Sequence, residues 1–242
     1  LALKYWTAVV GDDAVWERVA RRARDLDDPR LTAGVARRLR ASLPTVLLTI
    51  CIQQAVKSAK RGNTSDARRY LAYVRGSGLD AGLEAAILDR EVAPLVDQIR
   101  QICASAPERS KADPEHADIL VNELWAEVRP LLVVISVLLD KGHHLREAAF
   151  DVAASAVRNC IIDYGNATEN WKRCATLLQQ VVKIAADDGL RSRLQEDIAQ
   201  AEENRKAKDD EKAVKLVDEA IMLAKAGRPK EGREMLGRAL AV

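Results

Sequence analysis

The chain has 242 residues, with 38 basic and 36 acidic side chains and a formal charge of +2. So near a balance offers no net field to draw in nucleic acid or an anionic membrane. Hydrophobic residues make up 48% but aromatics only 4%, so a sizeable core must be assembled from Ala, Leu, Val and Ile, which favours closely packed helices. The 7 Pro and 12 Gly are too few for a turn-rich all-β fold.

In chain order, residues 1 to 10 read as the tail of a helix. A second helix starts at Gly11-Asp12-Asp13 and runs through Val15, Trp16, Val19 and Ala23, with acidic residues where the helix dipole favours them. Asp27-Asp28-Pro29 is expected to break it. A third helix is expected from Leu31 to Ser42, and Pro44 near the start of a fourth ending at Arg61. Gly62-Asn63 turns into a helix that ends at Gly76-Ser77-Gly78. Helices from 80 to 105 are expected to break or kink at Pro94, and Ala106 to Pro114 reads as a loop bracketed by prolines. His116 to Asp140 is expected as a helix-loop-helix passage bent at Pro130, its branched run Leu131 to Ile135 being a buried helix because no second strand could pair with it. Lys141-Gly142-His143-His144 is a turn. The stretch Asp151 to Ala186 then reads as two helices meeting at Tyr164-Gly165-Asn166-Ala167-Thr168. Gly165-Asn166 would stop the first, and Thr168 would cap the second. Helices from 190 to 206, 209 to 226 and 229 to 242 complete the chain. No stretch alternates apolar and polar residues with period two, so the fold class is all-α, an irregular stack of antiparallel helical hairpins. Residues 1–106 and 113–242 are expected as two groups of hairpins, or as one continuous solenoid.

Three hairpins repeat one pattern, an apolar helix, a Gly-containing turn and a helix with small and large apolar residues in order. In the last, Ala220, Leu223, Gly227, Gly232, Leu236 and Ala239 follow one another. In the first, Ala55 and Gly62 lead to Ala67, Leu71 and Val74, although Ser58 stands where a large side chain is usual. The middle one has Ile161, Gly165, Trp171, Cys174, Leu178 and Val181, with Arg158 at a position that wants a small residue. This pattern resembles the tetratricopeptide repeat, although the turn glycines are not spaced by a constant period. The resemblance implies a solenoid whose grooved faces bind a protein or peptide partner. The family's clamp for a C-terminal carboxylate uses Lys and Asn on first helices. Here those positions are Ile52 and Val56, Ser155 and Asn159, and Val217 and Ile221, of which only Asn159 fits.

A second resemblance covers about the first 205 residues. Trp16-Glu17-Arg18, Asp27 to Thr32, Val128 to Leu132, and Tyr164-Gly165-Asn166 followed by Trp171 are similar to the helical region after the J domain in some bacterial J-domain proteins. The J domain's own His-Pro-Asp tripeptide is absent. Together the resemblances imply a non-catalytic scaffold, inside a larger bacterial protein of co-chaperone type.

Candidate chemistry is sparse. Paired-carboxylate, nucleophile-elbow and phosphate-loop motifs are lacking, so no enzyme activity and no cofactor are expected. Cys51, Cys103, Cys160 and Cys174 have no CxxC spacing and fit buried thiols in a reducing cytoplasm. His143-His144 lie in a turn with no nearby cysteine, and His116 lies among helix-start acids, so all three are expected as surface polar residues and no metal site is expected. The best case for nucleic acid is a basic cluster of Arg21, Arg22, Arg37, Arg38, Arg68 and Arg69, extended by Arg18, Arg24, Arg30 and Arg40. Glu17, Asp25, Asp27 and Asp28 interleave with it. A nucleic-acid-binding domain and a small-molecule-sensing domain with a pocket between helices therefore stay as alternatives. The longest apolar run, Leu131 to Leu139, is too short to span a bilayer. The missing initiator Met and the helical pattern at Leu240-Ala241-Val242 suggest a segment of a longer protein.

Overall fold

A computed structural model describes residues 2–26 and 32–241. Helix covers 88% of the described residues and no strand occurs among them, so the fold is all-α. The helices in order are α1 (Ala2–Gly11), α2 (Asp13–Leu26), α3 (Ala33–Lys60), α4 (Thr64–Arg75), α5 (Ala81–Ala104), α6 (Ala106–Ala112), α7 (Ala117–Leu138), α8 (His144–Thr168), α9 (Trp171–Val182), α10 (Asp188–Lys225) and α11 (Pro229–Ala239), with a single 3₁₀ turn at Pro114–His116. They form two compact units, each drawn from two chain segments: residues 1–101 with 126–149, and residues 102–125 with 150–242. The expected break at Asp27-Asp28-Pro29 and the residues Arg30 and Leu31 lie outside the described residues.

The prolines overturn several expected boundaries. Pro44, Pro94 and Pro130 all sit inside uninterrupted helices, α3, α5 and α7. An interior proline costs about 3 kcal/mol, and at Pro94 and Pro130 packing on either side outweighs it. Val92, Leu95 and Val96 around Pro94, and Val128 and Leu132 around Pro130, are all buried. The expected loop at 106–114 is likewise helical as far as Ala112. There Pro107 occupies a helix-start position that suits its fixed φ, and Ala106 and Ser110 are fully buried. The expected break near 206–209 is also absent. Nothing between Gly189 and Gly227 interrupts a helix, and α10 runs for 38 residues with exposed pairs such as Lys215–Glu211 along it.

In the first unit α3 and α4 pack as a hairpin. Gly62 turns between them at φ +79°, a left-handed conformation that side chains resist. The Asn63 side chain then caps α4 by accepting from Asp66 N at 3.0 Å. Leu48, Ile52, Ala55 and Ala59 of α3 and Ala67, Leu71 and Val74 of α4 are buried between them. By length and composition α3 is also the one helix, among the described residues, that could cross a membrane. The absence of a membrane partner was expected from residues 131–139 alone, a run other than this one. One face of α3 packs against α4, and Leu39, Val46 and Ile50 are exposed. Upstream, Trp16 of α2 donates from Nε1 to Val9 O at 2.9 Å, tying α2 to α1.

In the second unit the hairpin of α8 and α9 departs from its expected geometry. Gly165 and Asn166 do not stop α8, which continues to Thr168. The connection is Glu169-Asn170, with Glu169 at φ +53° and Asn170, not Thr168, capping α9 by accepting from Arg173 N at 3.3 Å. Thr168 instead donates its hydroxyl to Tyr164 O at 2.8 Å, inside the helix it was expected to follow. Gly165 is therefore a packing glycine and not a turn glycine. A Cβ placed on it would lie 2.8 Å from Cys174 Sγ and 2.8 Å from Trp171 Cζ3. The glycine lets α9 approach α8 with Cys174, Leu178 and Val181 buried. Arg158, out of place for a small-residue position, forms a forked ion pair with Asp197 of α10, Nη2 to Oδ1 at 2.9 Å.

Candidate functional site

Three places in the chain concentrate polar or unpartnered side chains. The first is the terminal hairpin of α10 and α11. Gly227 turns it at φ +78°. Gly232 is buried, and a Cβ there would lie 2.9 Å from Ala220 O. Ala220 is itself 3% exposed, so the two helices meet through their smallest residues, while Ala239 is half-buried. On α10 the side chains of Val214, Val217 and Ile221 stand at helical spacing and remain exposed, Ile221 at 46%. Leu236 of α11 and Leu240, just past its end, are exposed as well. Apolar side chains in a row along one helix face are ordinarily covered. Elsewhere the comparable first-helix positions are closed or polar: Ile52 and Val56 are buried, and Asn159 is exposed.

The second is the arginine cluster. Arg21 and Arg22 of α2, Arg37 and Arg38 of α3, and Arg68 and Arg69 of α4 are all exposed. Acids divide them. Arg37 and Arg40 share a groove with Asp13 and Glu17, and Arg40 pairs with Asp13 at 2.7 Å. Arg69 pairs with Asp66 at 2.9 Å. Arg18 and Arg22 line a separate groove, with Val15, Val19, Ala23 and Leu26. A phosphate backbone needs cations that are free to replace its counterions, a requirement that Arg40 and Arg69, held by Asp13 and Asp66, answer poorly.

The third site was not expected from the sequence. Gly142, at φ +87°, turns the chain into α8 so that His143 precedes the helix and His144 opens it. Two histidines at adjacent helical positions would point apart. Here the turn stacks their rings at 4.7 Å between centroids. Asp89 of α5 joins them, its Oδ1 3.1 Å from His143 Nε2 and its Oδ2 3.9 Å from His144 Nε2. His143 is half-buried and His144 exposed. The oxygen Oδ1 is buried and accepts no hydrogen bond. Asp89 lies far from the pair in sequence, and only the packing of the first unit reveals it.

Elsewhere a few titratable groups depart from their usual values. His116 binds Asp113 at 2.9 Å, which raises its pKa through that hydrogen bond. Burial pushes the thiols of Cys103 and Cys174 up to about 11 and raises Cys160 and Cys51 as well. A thiol held protonated is a poor nucleophile. Ser110, fully buried, donates to Asp163 Oδ2 at 2.6 Å.

No protein-family model, curated protein or solved structure matches this chain.

Proposed function

We propose that the chain is a non-catalytic, tetratricopeptide-like helical scaffold that binds a protein partner. Its place would be within a larger cytoplasmic bacterial protein of co-chaperone type. The observation that carries this reading is the exposed row Val214, Val217 and Ile221 on α10. Val217 and Ile221 are the groove positions of the most repeat-like hairpin. The close approach of Ala220 and Gly232 supports the same reading, because paired small residues at that crossing are what the repeat pattern implies. An apolar groove position selects an amphipathic helix, not a charged terminus.

The test is a selection from a displayed library of helical peptides against the intact chain, repeated with Val217→Glu/Ile221→Glu. Both positions are exposed, so the variant should keep its circular dichroism. The expected outcome is enrichment of amphipathic peptides that lose at least about tenfold in affinity for the variant, since burying an unpaired carboxylate is heavily penalised. Peptides that bind both proteins equally, or no enrichment at all, would reject the groove.

A further inference from the structure

We propose that Asp89, His143 and His144 form a binding site for one divalent transition-metal ion. The ligand type suits Zn²⁺ or its borderline neighbours, because imidazole nitrogens favour these over Mg²⁺ and Ca²⁺, which take all-oxygen shells.

The candidate ligand atoms lie close together, although the stacked rings, 24° apart in plane, must turn away from each other before both in-plane nitrogen lone pairs can meet one ion. Nitrogen and oxygen ligands sit about 2.0–2.2 Å from Zn²⁺, so two of them sharing an ion lie about 3.3 Å apart at a tetrahedral angle and at most about 4.2–4.4 Å apart. Asp89 Oδ1 and His143 Nε2 are already 3.1 Å apart, and Asp89 Oδ2 and His144 Nε2 are 3.9 Å apart. One ligand atom from each of the three residues can be chosen with all three within 4.8 Å of one another. Reaching the tetrahedral separation from the 4.8 Å limit takes at most about 1.5 Å, a movement that falls to the exposed His144 ring.

A second observation points the same way. Asp89 Oδ1 is buried without a hydrogen bond although an imidazole nitrogen lies within reach. A buried carboxylate oxygen ordinarily accepts a hydrogen bond; here the Asp89 side chain is 37% exposed and Oδ1 has only the ion-pair contact with His143. A histidine nitrogen and a carboxylate oxygen 3.1 Å apart with no hydrogen bond between them are spaced as two ligands of one ion would be.

Leu145 N donates to His143 Nδ1 at 3.4 Å, an assignment that corresponds to the tautomer with its proton on Nε2. Metal binding at Nε2 moves that proton to Nδ1 and releases the Leu145 N–H. That bond is long and weak, and the donor belongs to the first turn of α8, where N–H groups lack a helical partner. Three protein ligands leave a coordination position for water or for a group from outside the chain.

The experiment is calorimetric titration of the intact, chelator-treated chain with Zn²⁺, alongside Co²⁺ absorption spectroscopy. The expected result is one Zn²⁺ per chain, no heat with Mg²⁺, and at least about tenfold weaker binding in both Asp89→Asn and His144→Ala. The Co²⁺ complex should show visible bands without the intense near-ultraviolet absorption of thiolate ligands, which separates this site from the cysteines. His144 is exposed, so its variant keeps the fold and decides the outcome if Asp89→Asn does not. Absence of stoichiometric binding, or undiminished binding by folded His144→Ala, overturns the proposal.

Discussion

Gly165→Ala offers the sharpest probe of how α8 and α9 pack. In an unobstructed helix interior this substitution stabilises by about 1 kcal/mol, because alanine has the higher helix propensity. Here the new methyl would stand 2.8 Å from both Cys174 Sγ and Trp171 Cζ3. Ordinary contact begins near 3.4 Å, so both side chains must retreat by about 0.6 Å. Cys174 is 1% exposed and has little room to do so. Overpacking of this kind costs about 1–3 kcal/mol, leaving a net loss of about 1 kcal/mol once the propensity gain is subtracted. The urea midpoint, followed by far-UV circular dichroism, measures it, and amide exchange across α8 and α9 localises it. A double-mutant cycle identifies the cause. In a Cys174→Ala background one of the two overlapping atoms is gone, so the penalty should shrink by about 0.5 kcal/mol or more. A penalty unchanged by Cys174→Ala would put the clash on Trp171 Cζ3, the other atom at 2.8 Å. A stabilised Gly165→Ala would refute the close approach altogether.

Removing the Asn170 cap with Asn170→Ala should lower stability by about 1 kcal/mol, while Thr168→Ala, which touches no α9 donor, should cost less in the same urea titration. The thiols give a pH signature. Folding raises Cys103 and Cys174 from 9.0 to about 11, so the unfolded chain releases these protons first. Stability should be level below about pH 9 and fall as pH rises towards about 11, as urea midpoints over that range would show. A midpoint that rises with pH would contradict the burial. In the native protein an aromatic disulfide reagent at about pH 8 should modify Cys51 well before Cys103, Cys160 and Cys174, and all four should react in denaturant. Rapid labelling of Cys174 in the native state would refute its packing beneath Gly165.

Helical class was determined by composition and period alone. A chain rich in Ala and Leu, with few breakers and no alternating stretch, has one way to bury its apolar side chains. The glycine turns at Gly62 and Gly227 were equally legible, because the residue after a helix end that needs positive φ is nearly always glycine. Tertiary packing decided everything that depends on a balance of energies. A proline interrupts a helix only where little burial opposes it, so Pro44, Pro94 and Pro130 could not be judged without their neighbours. Gly165 looked like the other turn glycines because a residue that must turn and a residue that must let a helix pass share the same requirement, the absence of a side chain. Asp89 was invisible for a plainer reason. It lies on α5 with no sequence tie to the histidine turn, and convergence of distant side chains is a property of the packed unit. The sequence placed His143 and His144 side by side; only the fold brings a carboxylate to them, with one oxygen 3.1 Å from His143 Nε2 yet without a hydrogen bond.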